Sequence, residues 1–273
     1  IIIAKTNMAE WAFSAMHTNS STGGTTRNPY NTDHVPAGSS GGTGAGVAAN
    51  FGTIGLGTDT GNSIRGPSSH NALVGFRSTL GLISRSGIVP LYLRNDVVGP
   101  MCRTVEDATR VMEVMVGIDK TDPLTTYSDG KSTTNYQQFL DVNGLKNSRI
   151  GVLRELSEDN PDPEISALFE RAIQDLDSLG ATLVDPVVVP NFANLRQNQW
   201  CATFRTDVEA FLNEFVKRDS MRTLEDIIRV GTTAPFSERR LQSNAAKNDR
   251  WGPVELPCGD VYNDSLRIAF REA

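Results

Sequence analysis

A strand-helix-strand pattern between residues 149 and 189 constrains the fold of this 273-residue chain more than any other feature. Arg149 to Leu153 is an apolar run typical of a strand, as is Thr182 to Val184 with Val187 to Val189. Between them, Glu164 to Leu179 places its apolar residues on one helical face, at Ile165, Leu168, Phe169, Ala172, Ile173, Leu176 and Leu179. Gly180 ends this helix, and such a unit is expected to be parallel and right-handed. The pattern predicts the α/β fold class.

Residues 1–123 are rich in glycine, serine and threonine, with short apolar runs between predicted turns. The runs Ile1 to Ala4, Thr53 to Leu56 and Leu73 to Phe76 are predicted to be strands. A helix is predicted from Thr104, which is placed to cap it with Asp107 as reciprocal partner, until Gly117. Its buried stripe is predicted to be Val105, Ala108, Val111, Met112 and Met115.

The domain organisation follows from the polar stretch 124–148, which is predicted to be a surface connection. Residues 149–273 then complete the same domain with the strand-helix-strand unit and a mostly helical segment. Within this segment a predicted helix carries an apolar stripe of Phe204, Val208, Phe211, Leu212 and Phe215, and residues 261–273 have helical spacing as well. We expect a single domain that is truncated at both ends.

Composition excludes several classes of protein. The net charge of -6 and the absence of a basic stripe argue against nucleic acid as a main partner. No apolar run reaches the roughly 18 residues of a membrane span. Neither the cysteines (Cys102, Cys201 and Cys258) nor the histidines (His17, His34 and His70) have the spacing of a metal site, and unpaired thiols are expected.

Two glycine-rich segments place candidate reactive serines 24 residues apart. We call Gly38-Ser39-Ser40-Gly41-Gly42 the first serine turn and Gly57 to Arg65 the second serine turn. Glycine lets the backbone approach a substrate closely, and successive N–H groups in such a turn can face one concavity. A serine nucleophile needs a base within hydrogen-bond reach and N–H donors for the oxyanion, so the pattern is compatible with acyl transfer. Taken alone, the Gly38-to-Gly42 segment favours ordinary turns over a reactive site. A phosphate-binding loop is disfavoured, because no G-x-x-x-x-G-K-[ST] or G-x-G-x-x-G motif is present.

The chain resembles the amidase signature family, serine hydrolases that cleave carboxamide bonds with a Ser-Ser-Lys triad. The matching segments keep the family's order and spacing over about the first 123 residues: Ala4-Lys5-Thr6-Asn7-Met8, Arg27 to Asn31, both serine turns, Val74 to Arg77, Ser84 to Gly87 and Gly99 to Asp107. The resemblance implies a mixed β-sheet core covered by α-helices on both faces.

The resemblance also implies roles for individual residues. Ser63 corresponds to the acylated nucleophile, and Ser39 to the bridging serine, which lies in a cis peptide and relays the proton. Ser40 corresponds to its hydrogen-bonding neighbour. The implied oxyanion hole consists of the N–H groups of Thr60, Gly61 and Asn62. Asp59 and Arg65 flank the nucleophile and are expected to anchor the turn, and no metal or organic cofactor is implied.

This sequence departs from the family pattern at two positions. Asn62 stands where many members have glycine, so the loop either tolerates a side chain there or presents it to the substrate. The family's lysine lies in a motif before the Lys5 segment, and Lys5 matches a different position with a structural role. We therefore expect an internal fragment that lacks the catalytic lysine.

Three functions remain open: an amidohydrolase acting on a small or peptide-like amide, the amidase subunit of a glutamine-dependent tRNA amidotransferase, and a non-catalytic amidase-like fragment. Phe13 is a candidate substrate contact, with a core aromatic as the alternative. A homodimer is left open, and a cytoplasmic location is only the default expectation.

Overall fold

The computed structural model describes residues 1–157, 161–197, 203–232 and 234–250, together with residues 268 and 272. The strands in these ranges are β1 (Thr18–Ser20), β2 (Gly24–Thr26), β3 (Ile54–Asp59), β4 (Val74–Gly75), β5 (Val97–Cys102), β6 (Arg149–Gly151) and β7 (Thr182–Val184). The helices are α1 (Gly41–Ala48), α2 (Arg65–His70), α3 (Val105–Met115), α4 (Pro163–Ser178), α5 (Phe192–Gln197), α6 (Phe204–Phe215), α7 (Leu224–Val230) and α8 (Pro235–Arg250).

These elements belong to two compact units. The first comprises the described residues of Ile1–Gln137 and Cys201–Glu255, and the second those of Gln138–Trp200 and Leu256–Ala273. The stretch 124–148 contains 3-10 turns at Pro123–Ser128 and Gln137–Phe139 and neither an α-helix nor a strand. The combination of helices with antiparallel and parallel sheets is the predicted α/β class.

The first unit is built around an antiparallel sheet of order β3-β5-β4. β5 pairs with β3 from Ile54 opposite Cys102 to Asp59 opposite Val97, and all six of its residues are buried. A second sheet in this unit is the antiparallel hairpin of β1 and β2. Because β3 ends at Asp59, the chain leaves the sheet directly at the second serine turn.

Helix α3 packs its apolar face against this sheet. Ala108, Val111 and Met112 are buried as predicted, whereas Val105 is exposed. The Thr104 hydroxyl accepts a hydrogen bond from the Asp107 N–H at 3.0 Å, which confirms the predicted cap. In the described residues the Asp107 side chain makes no return bond to Thr104, so the predicted reciprocal partner is not observed.

Helices α6, α7 and α8 form a second core in the same unit. From the stripe predicted on α6, Phe204, Val208 and Leu212 are buried. They pack with a larger set of apolar residues, namely Phe13, Leu224, Ile227 and Leu241. Phe211 is half-buried and Phe215 is exposed, so the periodicity identified three of the five predicted stripe residues as core residues.

The second unit contains the strand-helix-strand pattern. β6 pairs with β7 in parallel, as predicted. Asp162 caps α4, because its carboxylate accepts from the N–H of Glu164 at 2.8 Å. Gly180 ends the turn after the helix with a φ of 92°. Of the predicted apolar face, only Ile173 is buried within the helix.

Two strand predictions are wrong. Residues 1–4 form no strand, and Ile1, Ile2 and Ile3 are exposed, since no neighbouring strand in the described ranges completes a ladder with them. Residues 187–189 are not a strand either, because Pro186 lacks the N–H that would continue the ladder beyond β7. The helical spacing at 261–273 falls outside the described residues, except at positions 268 and 272.

Candidate active site

The two serine-containing turns meet at the end of β3. The N–H of Ser40, the residue preceding α1, donates to the carbonyl oxygen of Ser63 at 3.2 Å. The Ser40 hydroxyl also lies 3.2 Å from both the N–H and the carbonyl oxygen of Thr58 in β3. Ser40 therefore ties the first turn to the strand and to the second turn, although the serines are far apart in sequence.

Ser39 directly precedes Ser40 in the first turn. The Gly38–Ser39 peptide bond is cis, as the resemblance implies. Ser39 is completely buried, and its carbonyl oxygen accepts from the Ala9 N–H at 2.9 Å. Its hydroxyl has no hydrogen-bond partner among the described residues. A buried hydroxyl without a partner is uncommon in folded proteins.

Glycine is required at position 38 because the backbone is crowded on that side. A Cβ there would lie 2.5 Å from the carbonyl oxygen of Ser14 and 2.7 Å from that of His17. Ser14 and His17 also line a cavity of about 410 Å³, whose wall includes Ala9 and Phe236. The first serine turn therefore contacts residues that also enclose a space of ligand size.

Ser63 is buried apart from 6% of its surface, and its hydroxyl makes no hydrogen bond within the described ranges. The backbone N–H groups of Thr60, Gly61, Asn62 and Ser63 likewise donate to no acceptor among the residues that the structure describes. A Cβ at Gly61 would meet no atom within 4 Å. The turn thus combines a nucleophile candidate with consecutive unpaired donors next to open space.

The Asn62 side chain does not face that open space. It packs against α2, where a Cβ on Gly66 would lie 2.1 Å from its Nδ2 atom. Neither Gly61 nor Asn62 has a positive φ. The loop therefore accommodates asparagine without using the left-handed conformation that glycine would allow.

Asp59 holds the second serine turn through side-chain hydrogen bonds. It is completely buried, and its Oδ2 atom accepts from the N–H of Ile64 at 3.1 Å and from that of Arg65 at 3.3 Å. The Arg65 guanidinium adds Nε to Oδ2 at 3.1 Å and Nη2 to Oδ1 at 3.2 Å. These contacts are those of a structural anchor, as expected for both residues.

The charges around Asp59 keep it ionised. Burial alone would raise the pKa of this carboxyl, but hydrogen bonds from Arg65 and Ile64, together with the positive charges of Arg65 and Arg77, lower it below the usual value. An ionised Asp59 can thus hold the backbone at the start of α2 across the physiological pH range.

The structure adds two residues that the sequence did not single out as members of the site. Arg77 donates from Nη1 to the Asp59 carboxylate at 2.9 Å and from Nη2 to the Asn95 carbonyl at 2.9 Å. Asp96 accepts the Thr60 hydroxyl at 2.5 Å. Arg77 lies in a segment that matches the family, whereas the isolated Asp96 carried no signal that could have identified it.

Phe13 lies in the hydrophobic core. It is 4% exposed, and its ring centroid is 5.2 Å from that of Phe204 in α6. This is the position of a core aromatic, the alternative that the sequence left open. Lys5 is exposed and forms no hydrogen bond or ion pair with the described residues.

No cluster of His, Cys, Asp and Glu side chains in the described ranges could hold a metal ion. Cys102 is a free, buried thiol, and Cys201 and Cys258 fall outside those ranges. Among the same residues, no helix has the length and apolar character required to cross a bilayer.

Comparison with known proteins identifies relatives of this chain in sequence and in structure. A probable amidase of Arabidopsis thaliana is 35% identical over 240 residues, which cover 84% of this chain and 45% of that protein. The A subunit of the glutamyl-tRNA(Gln) amidotransferase from Desulforapulum autotrophicum is 41% identical over 196 residues, covering 71% of this chain and 40% of that protein. Among solved structures, the peptide amidase from Stenotrophomonas maltophilia has a TM-score of 0.79 and 32% identity, covering 100% of this chain and 55% of that one.

The chain spans about half the length of the relatives that it matches. The sequence model described as Amidase matches residues 1–253, which include both serine turns and most of the helices. From this match and the geometry of the turns, we conclude that the chain belongs to the amidase family, the amidase signature enzymes.

Proposed function

We propose that this chain carries the nucleophile, the proton relay and the oxyanion-binding turn of a serine amidohydrolase, which cleaves a carboxamide into a carboxylic acid and ammonia or an amine. The observation that carries the proposal is the hydrogen bond from the Ser40 N–H to the Ser63 carbonyl. It joins the two serine turns beside a run of unpaired N–H donors. Family membership supports the same chemistry.

In the proposed reaction, the Ser63 hydroxyl attacks the amide carbonyl and passes its proton to Ser39, whose own proton goes to an unprotonated lysine. The N–H groups of Thr60, Gly61 and Asn62 stabilise the tetrahedral oxyanion. Ser39 then returns a proton to the leaving nitrogen as the C–N bond breaks. Water hydrolyses the acyl-Ser63 ester by the same proton path, with no metal or organic cofactor.

The lysine is assigned to a region of the protein outside the described residues. The Ser39 hydroxyl is buried without a partner among those residues, which suits a base supplied from elsewhere, whereas Lys5 is exposed. Lysine fits this role because burial and neighbouring groups can lower its pKa toward the working pH.

A fluorophosphonate probe tests the nucleophile in the full-length protein. We expect covalent labelling at Ser63, identified by peptide mass mapping, and none in Ser63→Ala. Ser78 provides a matched control, since it is equally buried but its hydroxyl donates to the Val98 carbonyl at 2.8 Å away from the turn. Labelling that survives in Ser63→Ala and disappears in Ser78→Ala, or labelling at a third residue, contradicts the assignment.

The alternative is the amidase subunit of a glutamine-dependent tRNA amidotransferase. It is favoured by the 41% identity to the A subunit of such an amidotransferase. The two functions differ in what they require: an amidohydrolase releases ammonia from a simple amide alone, whereas the amidotransferase requires glutamine, partner subunits and charged tRNA. Ammonia release that depends on all three would overturn the amidohydrolase proposal in favour of the alternative.

The substrate class is proposed as a small or peptide-like amide. The similarity to a peptide amidase supports the peptide-like member of this class. The expectations of a homodimer and of no nucleic-acid partner stay predictions from the sequence.

A further inference from the structure

The direction of each oxyanion-binding N–H depends on the peptide plane that contains it. In a trans peptide the C=O and N–H groups point in opposite directions, so a hydrogen bond to the carbonyl also fixes the donor. The peptide bonds from Asp59 to Ser63 are all trans. Hydrogen bonds to the carbonyls of this turn therefore determine where its N–H groups point.

Three of the four carbonyls accept hydrogen bonds from other protein groups. The pairs are the Asp59 carbonyl with Arg77 Nη1, the Gly61 carbonyl with Arg65 Nη2 at 2.6 Å, and the Asn62 carbonyl with the Gly66 N–H at 2.8 Å. These bonds fix the N–H groups of Thr60, Asn62 and Ser63, respectively.

The plane between Thr60 and Gly61 is different. The Thr60 carbonyl accepts no hydrogen bond from any residue within the described ranges. On the side where a Cβ of Gly61 would project, no atom lies within 4 Å. The Gly61 N–H, a central donor of the proposed oxyanion hole, is thus left without a backbone restraint on its own plane.

The Thr60 side chain supplies the missing restraint. Its hydroxyl donates to Oδ1 of Asp96 at 2.5 Å, and both residues are buried. The other carboxylate oxygen of Asp96 accepts from the N–H groups of Leu91 and Tyr92, each at 2.9 Å. Asp96 is therefore itself fixed by two backbone donors and offers Thr60 a rigid acceptor.

We infer that Asp96 is a positioning residue for amide hydrolysis, which acts through the Thr60 hydroxyl to aim the Gly61 N–H at the developing oxyanion. Asp96 touches neither the nucleophile nor the relay serine in this arrangement. The inference rests on the proposed function, because it assigns a role within the same oxyanion-binding turn.

The test measures fluorophosphonate labelling of Ser63 in the full-length protein as a function of probe concentration. Thr60→Val keeps the shape of the side chain and removes the hydroxyl, and Asp96→Asn removes the charge of the acceptor. Loss of one oxyanion donor costs about 100-fold to 1,000-fold in rate. Because these changes misdirect a donor without deleting it, we expect the maximal labelling rate to fall by about 10-fold to 100-fold. The half-saturating probe concentration should stay within about 3-fold, since ground-state binding does not use the oxyanion donors.

Two further variants separate positioning from general destabilisation. Thr60→Ser restores the hydroxyl and should recover most of the rate that Thr60→Val loses. Asp122→Asn is the matched control for Asp96→Asn, because Asp122 is an equally buried carboxylate that accepts the Arg85 N–H at 2.9 Å and forms an ion pair with Arg85. It lies outside the proposed machinery, so its maximal labelling rate should match that of the wild type.

The possible outcomes distinguish a failure of the inference about Asp96 from a failure of the proposed function. A labelled wild type with an unchanged maximal rate in Thr60→Val overturns the inference and leaves the proposed function standing. An equal loss in Asp122→Asn, or no recovery in Thr60→Ser, also overturns it. A full-length protein that is not labelled at Ser63 overturns the proposed function and the inference together. If Asp96→Asn does not fold, the Thr60 pair alone decides.

Discussion

Replacing Asp59 with asparagine should destabilise the protein by an amount that follows from its contacts. The carboxylate is completely buried and accepts five hydrogen bonds through its two side-chain oxygens. The donors are the backbone of Ile64, the backbone and side chain of Arg65, and the side chain of Arg77. Asparagine has nearly the same shape, so the change removes charge and one acceptor without opening a cavity.

The magnitude depends on which bonds asparagine can keep. Its oxygen can replace Oδ2 and retain the donors from Ile64 and Arg65, but its NH₂ group then faces Arg65 Nη2 and Arg77 Nη1. A hydrogen bond to a charged group contributes about 1.5 to 3 kcal/mol. The bond from Arg65 belongs at the low end because that side chain is 50% exposed, whereas Arg77 is 27% exposed. Since two such bonds are lost, we expect the free energy of unfolding to fall by about 3 kcal/mol.

Urea denaturation of the full-length protein, followed by circular dichroism, measures this change. Glu106→Gln is a suitable control, because it breaks the Glu106–Arg110 ion pair on the exposed face of α3, whose side chains are 57% and 60% exposed. An exposed pair of this kind is worth about 0.5 kcal/mol or less. The pKa of Asp59 is lowered in the folded state, so its contribution should be present at neutral pH and disappear only as the pH falls below about 4.

Equal shifts of the unfolding midpoint in Asp59→Asn and Glu106→Gln would contradict this prediction. So would a difference between wild type and Asp59→Asn that already vanishes as the pH is lowered from about 8 to about 5, above the range in which an ordinary aspartate is protonated. Either result would mean that the guanidinium contacts to Asp59 do not stabilise the ionised form in the folded protein.

Two further predictions concern stability. Gly42→Ala should lower the free energy of unfolding by about 1 to 3 kcal/mol, because its Cβ would lie 2.1 Å from the Asn7 carbonyl oxygen. Gly46→Ala in the same helix has room for a Cβ and should raise the free energy of unfolding by about 0.5 to 1 kcal/mol. Urea denaturation measures both changes. Burial raises the pKa of Asp207 to about 6, and the charge of Asp96 adds to this effect, so the wild type loses stability as the pH rises from about 4 to above 6. Asp207→Asn avoids this loss, so its free energy of unfolding relative to wild type should rise by about 3 kcal/mol at most over that interval. Urea denaturation at about pH 4 and about pH 8 measures this difference. An unchanged or falling difference contradicts the raised pKa of Asp207.

Features encoded by adjacent residues were predicted well. The α/β class, the parallel strand-helix-strand unit, the Thr104 cap and the inward face of α6 all follow from periodicity and turn chemistry over short stretches of chain. The strand predicted at Ile1 to Ala4 was wrong because apolar character is local, whereas a strand also requires a distant neighbour to pair with.

By itself, the sequence determined the family and singled out Ser39 and Ser63 as candidate site residues, because each lies in a contiguous segment that matches the family. Only the tertiary structure decided how those turns are held together. The Thr60–Asp96 bond joins residues 36 positions apart, and the Ser40–Ser63 bond joins two turns that are separate along the chain. The placement of Phe13 against α6 likewise depends on a segment that is far away in the sequence. Such contacts depend on the path of the whole chain, and that path is set by the cooperative packing of all elements and not by any local pattern.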